Sequence, residues 1–381
     1  MSGAAVSGAD GVGDIASLAN AATRALRAYD PGHDLPALRR EYGERLIELG
    51  SNETSLGASP AVAAAISAAL PDIYRYPDPK GGSLKRALAA QLGVEPAQIA
   101  LGNGSHELLM LIAQCFADAQ TSVVYSQYGF AVFAIGTAAA GAQAVCVPAL
   151  PADHATAPLG HDLPAMAAAV RADTRLVFVA NPNNPTGTWF DDAALDDFLA
   201  ALPEHVVVVV DEAYAEYVTA PGTQSAVRLL RGPQSRRNLI VTRTFSKAYA
   251  LAGLRVGYAI GSIEAIAVLE RLRESFNVNG LGLVAAEAAL ADTDHAARIR
   301  EHTASEREWL AARLRDRGLR VFPSQTNFVL VDFGRPASEI EAQLFRHAVV
   351  VRPMAGYGLP NCLRISIGTR AESERLLEAV A

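Results

Sequence analysis

The chain has 381 residues, half of them hydrophobic and 19% charged, with a formal net charge of −7. That size and composition suit a globular enzyme of two packed units, or one large α/β domain with a smaller companion. The acidic balance, with no block of like charges, speaks against a nucleic-acid surface, which needs a concentrated basic face. Cys115, Cys146 and Cys362 are scattered, and no apolar run reaches the roughly 18 residues of a membrane span, so we expect a cytoplasmic protein with no disulfide framework, metal site or membrane segment.

The opening stretch, "MSGAAVSGADGVGDIASLAN", lacks early basic residues and a compact apolar core, so it reads as a tail rather than a signal peptide. Further on, "QIALGNGSHELLMLIAQCF" predicts a short strand, a Gly-rich turn and a helix starting near Ser105. "TSVVYSQYGFAVFAIGTAAAG" predicts strand, loop and helix, and "TRLVFVANPNNPTG", "HVVVVVDEAY" and "NLIVTRTFSK" are apolar runs that stop abruptly at polar residues. Runs of this kind separated by helices predict a parallel sheet buried on both faces. From about residue 281 the pattern shifts to one long helical stretch and the strand-like "LRVFPSQTNFVLVDF" and "CLRISIGT", which suggests a smaller α+β unit. We expect an N-terminal tail and arm over residues 1–54 packing on that smaller unit, a large unit over 55–280 and the small one over 281–381.

In open α/β sheets, ligands sit outside the carboxyl ends of the strands. Gly104-Ser105, Asn184, Asp211 with Tyr214, and Ser246-Lys247 all fall at such ends and should converge on one crevice. Lysine occurs only at Lys80, Lys85 and Lys247, arginine supplying the rest of the 33 cationic residues. Lysine does what arginine cannot: burial favours its neutral amine, which condenses with an aldehyde. Alone, Lys247 would be a surface lysine at a strand end; its neighbours reverse that choice. Asp211 would hold a protonated pyridine nitrogen, Tyr214 would hydrogen-bond a ring hydroxyl, and "NPNNPTG" would aim Asn184 into the crevice. "LGNGSHE" sets glycines before a helix whose N–H groups cradle a phosphate, with Ser105, Thr244, Ser246 and Arg255 adding hydroxyls and a cation. Glu107 stands where a dinucleotide fingerprint has its third glycine, so one phosphate fits better than a pyrophosphate. Together these are the parts of a pyridoxal 5′-phosphate site. Arg352 and Arg364 offer forks for carboxylate or phosphate.

With these residues in view, "NPNNPTG", "DEAY" and "SKAYALAGLRVGY" resemble the signature blocks of fold type I aminotransferases. "YDPG", "LGSNET", "YRYPDPKG", "GNGSHELL", "SQYGFAV", "FNVNG" and "VRPMAGYGLPNCLRISIG", in that order, resemble the histidinol-phosphate aminotransferases. The resemblance implies an α/β fold of type I, a large domain with a mostly parallel sheet between helices plus a smaller α+β domain. It implies amino transfer between L-histidinol phosphate and 2-oxoglutarate, with Lys247 as Schiff-base lysine and proton shuttle. Asp211 would pair with the ring nitrogen, Asn184 and Tyr214 with the ring oxygen, and Tyr128 would stack on the ring. Gly104, Ser105, His106, Thr244, Ser246 and Arg255 would surround the cofactor phosphate. Tyr76 matches a tyrosine that reaches a neighbouring subunit's cofactor, which implies a homodimer. Arg364 would take a carboxylate, with Asn327 and Asn52 nearby, while Arg352 and Tyr29 match positions that bind the substrate's phosphate.

The chain departs from the family at Thr54-Ser55, where Asn-Pro is commoner, and at His106, commonly Asn or Asp. Aromatic amino-acid transamination and decarboxylation of a phospho-amino acid therefore stay open as alternatives. His295 and His302 lie on a charged helical face and read as solvated, and Asp162 as an N-cap.

Overall fold

The computed structural model describes residues 15–26, 32–232 and 235–380. Its strands, in chain order, are β1 (Ile47–Glu48), β2 (Ile99–Gly102), β3 (Ser122–Ser126), β4 (Gln143–Val147), β5 (Thr174–Ala180), β6 (Val207–Asp211) and β7 (Leu239–Thr244). β8 (Gly257–Gly261), β9 (Arg320–Val321), β10 (Phe328–Asp332), β11 (Val349–Val350), β12 (Arg352–Pro353) and β13 (Cys362–Ser366) complete the set.

The large sheet has the order β2-β8-β7-β6-β5-β3-β4. β8 runs antiparallel to both neighbours and every other pairing is parallel. The valine runs explain why both faces are covered. Successive side chains of a strand point to opposite faces, and here Val208 and Val210 enter one core while Val209 enters the other. Val177 and Val179 alternate in the same way with Leu176 and Phe178. Each such side chain contributes roughly 1.5–3 kcal/mol on burial. A one-residue slip in β5 or β6 would exchange the two sets and mismatch both cores.

The second sheet is antiparallel, in the order β12-β13-β10-β9, and is covered by the helices Thr293–Asp316, Ala337–Arg346 and Arg370–Val380. β1 pairs in parallel with β11, so the arm joins the small unit at that point. The helix Ala21–Ala25 lies instead against Ala131–Ala139, beside the large sheet.

The single long helix expected after residue 281 is two helices. Gly280–Ala291 packs on Pro60–Ala69 and Gly82–Leu92, and its Leu283, Ala286 and Leu290 enter the core of the large sheet. Asp292 ends it and accepts from His295 N–H at 3.0 Å, which caps the next helix. Asp292 thus separates a helix packed on the large sheet from one whose Leu310, Ala311 and Leu314 enter the core of the second sheet. His295 and His302 are not solvated either: their Nε2 atoms lie 3.0 and 3.1 Å from Gly57 O and Gly368 O. Asp162 does cap its helix, accepting from Ala165 N–H at 3.0 Å.

Candidate active site

The carboxyl ends of β2, β5, β6 and β7, and the start of the reversed β8, meet in one cavity of about 270 Å³. Ser105, His106, Asn184, Asp211, Tyr214 and Lys247 line it, together with Thr244, Ser246, Arg255 and Arg364. A wider apolar cleft of about 910 Å³ beside Trp189 contains none of these groups.

Lys247 follows β7 at the strand end. Its Nζ lies 3.3 Å from Ser51 O and 5.9 Å from the Tyr214 ring centroid. Burial lowers its pKa to about 8, helped by the Arg364 and Arg255 cations and opposed by Glu53 and Glu48. An appreciable neutral fraction near physiological pH makes this amine a nucleophile.

Asp211 closes β6 and is 4% exposed. Its register partner on β7, Thr242, donates Oγ1–H to Oδ1 at 2.8 Å. Burial raises its pKa to about 7 despite that bond, and neighbouring Glu212 adds to the rise. A buried carboxylate held this high calls for a cation beside it. Thr242 was missed in the sequence, although its two-residue spacing from Thr244 puts both on one face of β7.

Tyr214 Oη accepts from Asn52 Nδ2 at 2.8 Å, so its own O–H is a donor. Asn52 adopts φ near +56°, and its N–H is held by Ser366 Oγ at 2.9 Å. Asn327 Nδ2 fixes the Asn52 carbonyl at 2.9 Å. Asn327 therefore supports the wall without lining the cavity. Asn184 follows the cis Asn181–Pro182 peptide and precedes a second cis peptide, to Pro185. Its Oδ1 accepts from Arg364 Nη1 at 2.7 Å, so the amide NH₂ is what it offers to the cavity. Arg364 Nη2 is anchored on Gly50 O at 2.7 Å, which fixes the plane of the fork.

A cup with the donors a phosphate needs forms where the helix Ser105–Phe116 begins. Gly104, at φ +85°, gives no side-chain cap, so first-turn N–H groups point outward. Arg255 Nη1 donates to Ser246 Oγ at 3.1 Å, and Ser246 Oγ stands 2.9 Å from Thr244 Oγ1. Gly257 backs the cup: a Cβ there would stand 2.5 Å from Ser105 N. Burial, then the Arg255 charge, hold the His106 imidazole below its usual pKa, so it stands neutral at the rim.

Other expected residues lie elsewhere. Tyr128 does not line this cavity: its ring packs with the cluster of Leu159, Met354 and Leu330, and its carbonyl accepts from Asn183 Nδ2 at 2.8 Å. Phe130, two positions on, lines the cavity instead. Tyr76 is 83% exposed and stacks on Phe276 with centroids 4.7 Å apart, outside this chain's cavity. Arg352 is also outside, but it is the register partner of Arg364 across β12 and β13, which sets the two cations side by side on one face. Tyr29 falls outside the described residues. Ser51, Glu48 and Glu53, which bear on the lysine, also went unnoticed, because only the fold brings the arm against β7. Among the described residues no cluster of His, Cys, Asp and Glu could hold a metal, and no helix is long and apolar enough to cross a membrane.

The donor set fits pyridoxal 5′-phosphate. It offers an amine of depressed pKa, a buried carboxylate short of a cation, two ring-oxygen donors and an uncapped helix end with an arginine.

Comparison with known proteins agrees. The model of the family described as aminotransferase class I and II matches residues 44–380. Histidinol-phosphate aminotransferase 2 of Methylococcus capsulatus is 49% identical over 96% of this chain and 98% of its own length. The Pseudomonas fluorescens Pf0-1 protein of the same name is 47% identical over 97% and 98%. The crystal structure of histidinol-phosphate aminotransferase from Sinorhizobium meliloti, in complex with pyridoxal-5′-phosphate, superposes with a TM-score of 0.82 at 34% identity, covering 96% of both chains. The chain belongs to the aminotransferase class I and II family, within its histidinol-phosphate aminotransferase branch.

Proposed function

We infer that the chain is a pyridoxal 5′-phosphate-dependent aminotransferase that moves an amino group between L-histidinol phosphate and 2-oxoglutarate, in histidine biosynthesis. One observation carries this: Lys247, Asp211, Tyr214 and the Ser246–Arg255 cup share one cavity of about 270 Å³, in a chain 49% identical to a named histidinol-phosphate aminotransferase. When bound, the cofactor supplies an aldehyde for the amino group and a ring that draws electrons from the bond being broken.

Lys247 Nζ holds the cofactor between turnovers and moves the proton at the substrate carbon that bears nitrogen. Asp211, as carboxylate, keeps the ring nitrogen protonated. Asn184 and Tyr214 donate to the ring oxygen. The cup of Gly104, Ser105, Thr244, Ser246 and Arg255 takes the phosphate, and His106 adds its backbone N–H there. Arg364, its plane fixed by Asn184 and Gly50, takes the carboxylate of glutamate or 2-oxoglutarate, with Asn52 and Asn327 bracing that wall. Arg352 beside it takes the phosphate of histidinol phosphate, together with Tyr29.

We propose further that two copies pair, that Tyr76 serves the other copy's site, and that the enzyme works in the cytoplasm. Supporting the pairing, Leu70, Ile73, Tyr74 and Tyr76 lie within seven residues and are 47–83% exposed, a concentration of apolar and aromatic side chains of the kind found at interaction sites. In functional terms we propose that the large unit holds the cofactor, and that the small unit with the β1 arm supplies the substrate arginines. The direct assay supplies purified protein with pyridoxal phosphate, L-histidinol phosphate and 2-oxoglutarate. Glutamate formation supports the proposal, and none formed from this donor overturns it.

A further inference from the structure

Gly32 has φ near +94°, and a Cβ built there would land on the guanidinium of Arg352. The backbone of the arm thus lies against the cation that stands next to Arg364. Only glycine adopts that conformation and allows that approach. The following residue is tied to another element. His33 Nε2 lies 2.8 Å from Glu341 Oε1, and its ring meets Phe345 edge-on with centroids 4.9 Å apart.

Glu341 and Phe345 are one turn apart on the helix Ala337–Arg346, whose Ile340 and Leu344 are buried in the core of the small unit. The anchor is therefore rigid. Side-chain exposures of 30% for His33 and 17% for Glu341 place the pair partly below the surface, where it is screened less than an ordinary surface pair. Just beyond, Asp34 accepts from Ala37 N–H at 3.0 Å and starts the helix Leu35–Tyr42, so the chain leaves the clasp in a fixed direction. Gly32, His33 and Glu341 do not line the lysine cavity.

Arg364 is oriented by Asn184 of the large unit and by Gly50 O at the end of the arm. The arm is the matching support for Arg352. We propose that Gly32, His33 and Glu341 form a specificity-determining clasp that presses the arm onto Arg352 and so aims its guanidinium at the phosphate of the amino donor. The proposal rests on the reading of Arg352 as the phosphate-binding residue. An arginine grips an oxyanion through two parallel N–H···O bonds only when its plane is held. His33 and Glu341 are positioning residues: loosening them blurs phosphate recognition and leaves the carboxylate site at Arg364 and the lysine chemistry intact.

The test uses the cofactor-loaded enzyme with histidinol phosphate and, separately, glutamate as donor, in the wild type and in Glu341→Ala, Glu341→Gln, His33→Asn and Arg352→Ala. Glu341→Ala is expected to raise KM for histidinol phosphate about tenfold while its kcat, and both constants for glutamate, move less than about twofold. Glu341→Gln keeps an oxygen that accepts from His33 and should return KM to near the wild-type value. His33→Asn, a milder change at a partly exposed position, should reproduce the selective shift even if Glu341→Ala folds poorly. Hydrogen exchange should quicken in residues 32–46 of the Ala and Asn variants, with the cofactor absorbance unchanged. If Arg352→Ala is phosphate-selective but Glu341→Ala and His33→Asn change nothing, or weaken both donors alike, the clasp is wrong and the Arg352 assignment survives. If Arg352→Ala weakens both donors equally, the Arg352 assignment falls and the clasp with it.

Discussion

Replacing Lys247 by Met should make the cofactor-free protein more stable while destroying its activity. The folded state lowers the lysine pKa from 10.5 to about 8, with burial as the first cause. A base depressed in this way contributes stability above its unfolded pKa and loses it as pH falls through the folded one. At pH 7 the folded cofactor-free protein must therefore carry an ammonium that it holds poorly. A shift of this size corresponds to roughly 3 kcal/mol. Methionine keeps the stem's volume and apolar contacts. It gives up the long 3.3 Å contact to Ser51 O and the ammonium's 5.9 Å approach to the Tyr214 ring. The assay is urea unfolding of both cofactor-stripped proteins, followed by tryptophan fluorescence at pH 7 and near pH 10.5. The variant's advantage should be full at pH 7 and should fade between about pH 8 and 10.5, as the wild-type lysine goes neutral in both states. A variant less stable at pH 7, or an advantage indifferent to pH, would refute the claim that the fold disfavours this charge.

Asp211 gives the mirror-image pH dependence. Its carboxyl is pushed up to about 7, so cofactor-free protein should lose stability as pH rises from about 4 through 7, and Asp211→Asn should flatten that part of the curve; an unaltered slope would remove the buried-carboxylate argument. Gly257→Ala would put a methyl 2.5 Å from Ser105 N, so its dissociation constant for pyridoxal phosphate should rise at least about tenfold in an absorbance titration, and an unchanged value would displace the cup from this helix end. Sedimentation should find a dimer, and Tyr76→Ala should remain a dimer with weakened cofactor retention. Full activity in a monomer would eliminate the shared-site proposal.

The large sheet was legible because its strands obey a rule of period two. Val208, Val209 and Val210 alternate between two cores, and the polar residue after each run must lie at an edge. Four separate stretches could thus be assigned to one crevice, and the cavity does bring Ser105, Asn184, Asp211, Ser246 and Lys247 together. The break at Asp292 was hidden because alanine-rich sequence continues the helical pattern on both sides, and its one local mark is the Asp292 side chain that caps the second helix. The exchange of Tyr128 for Phe130 was equally hidden, since a loop after a strand has no period from which to read direction. The meeting of Gly32 with Arg352 joins residues from opposite ends of the chain. A local pattern carries no trace of such a contact, although glycine before a capped helix marks that something unusual happens there.

The measurement closest to the central claim is a single half-reaction. Cofactor-loaded protein is mixed with L-histidinol phosphate and, separately, with L-phenylalanine, and the visible band of the bound cofactor is followed through one turnover. Histidinol phosphate should abolish the band rapidly, and conversion with phenylalanine should be at least about tenfold slower. Faster conversion by phenylalanine would keep Lys247 and Asp211 in their places but reassign the substrate. A band that neither donor alters would rule out amino transfer at Lys247.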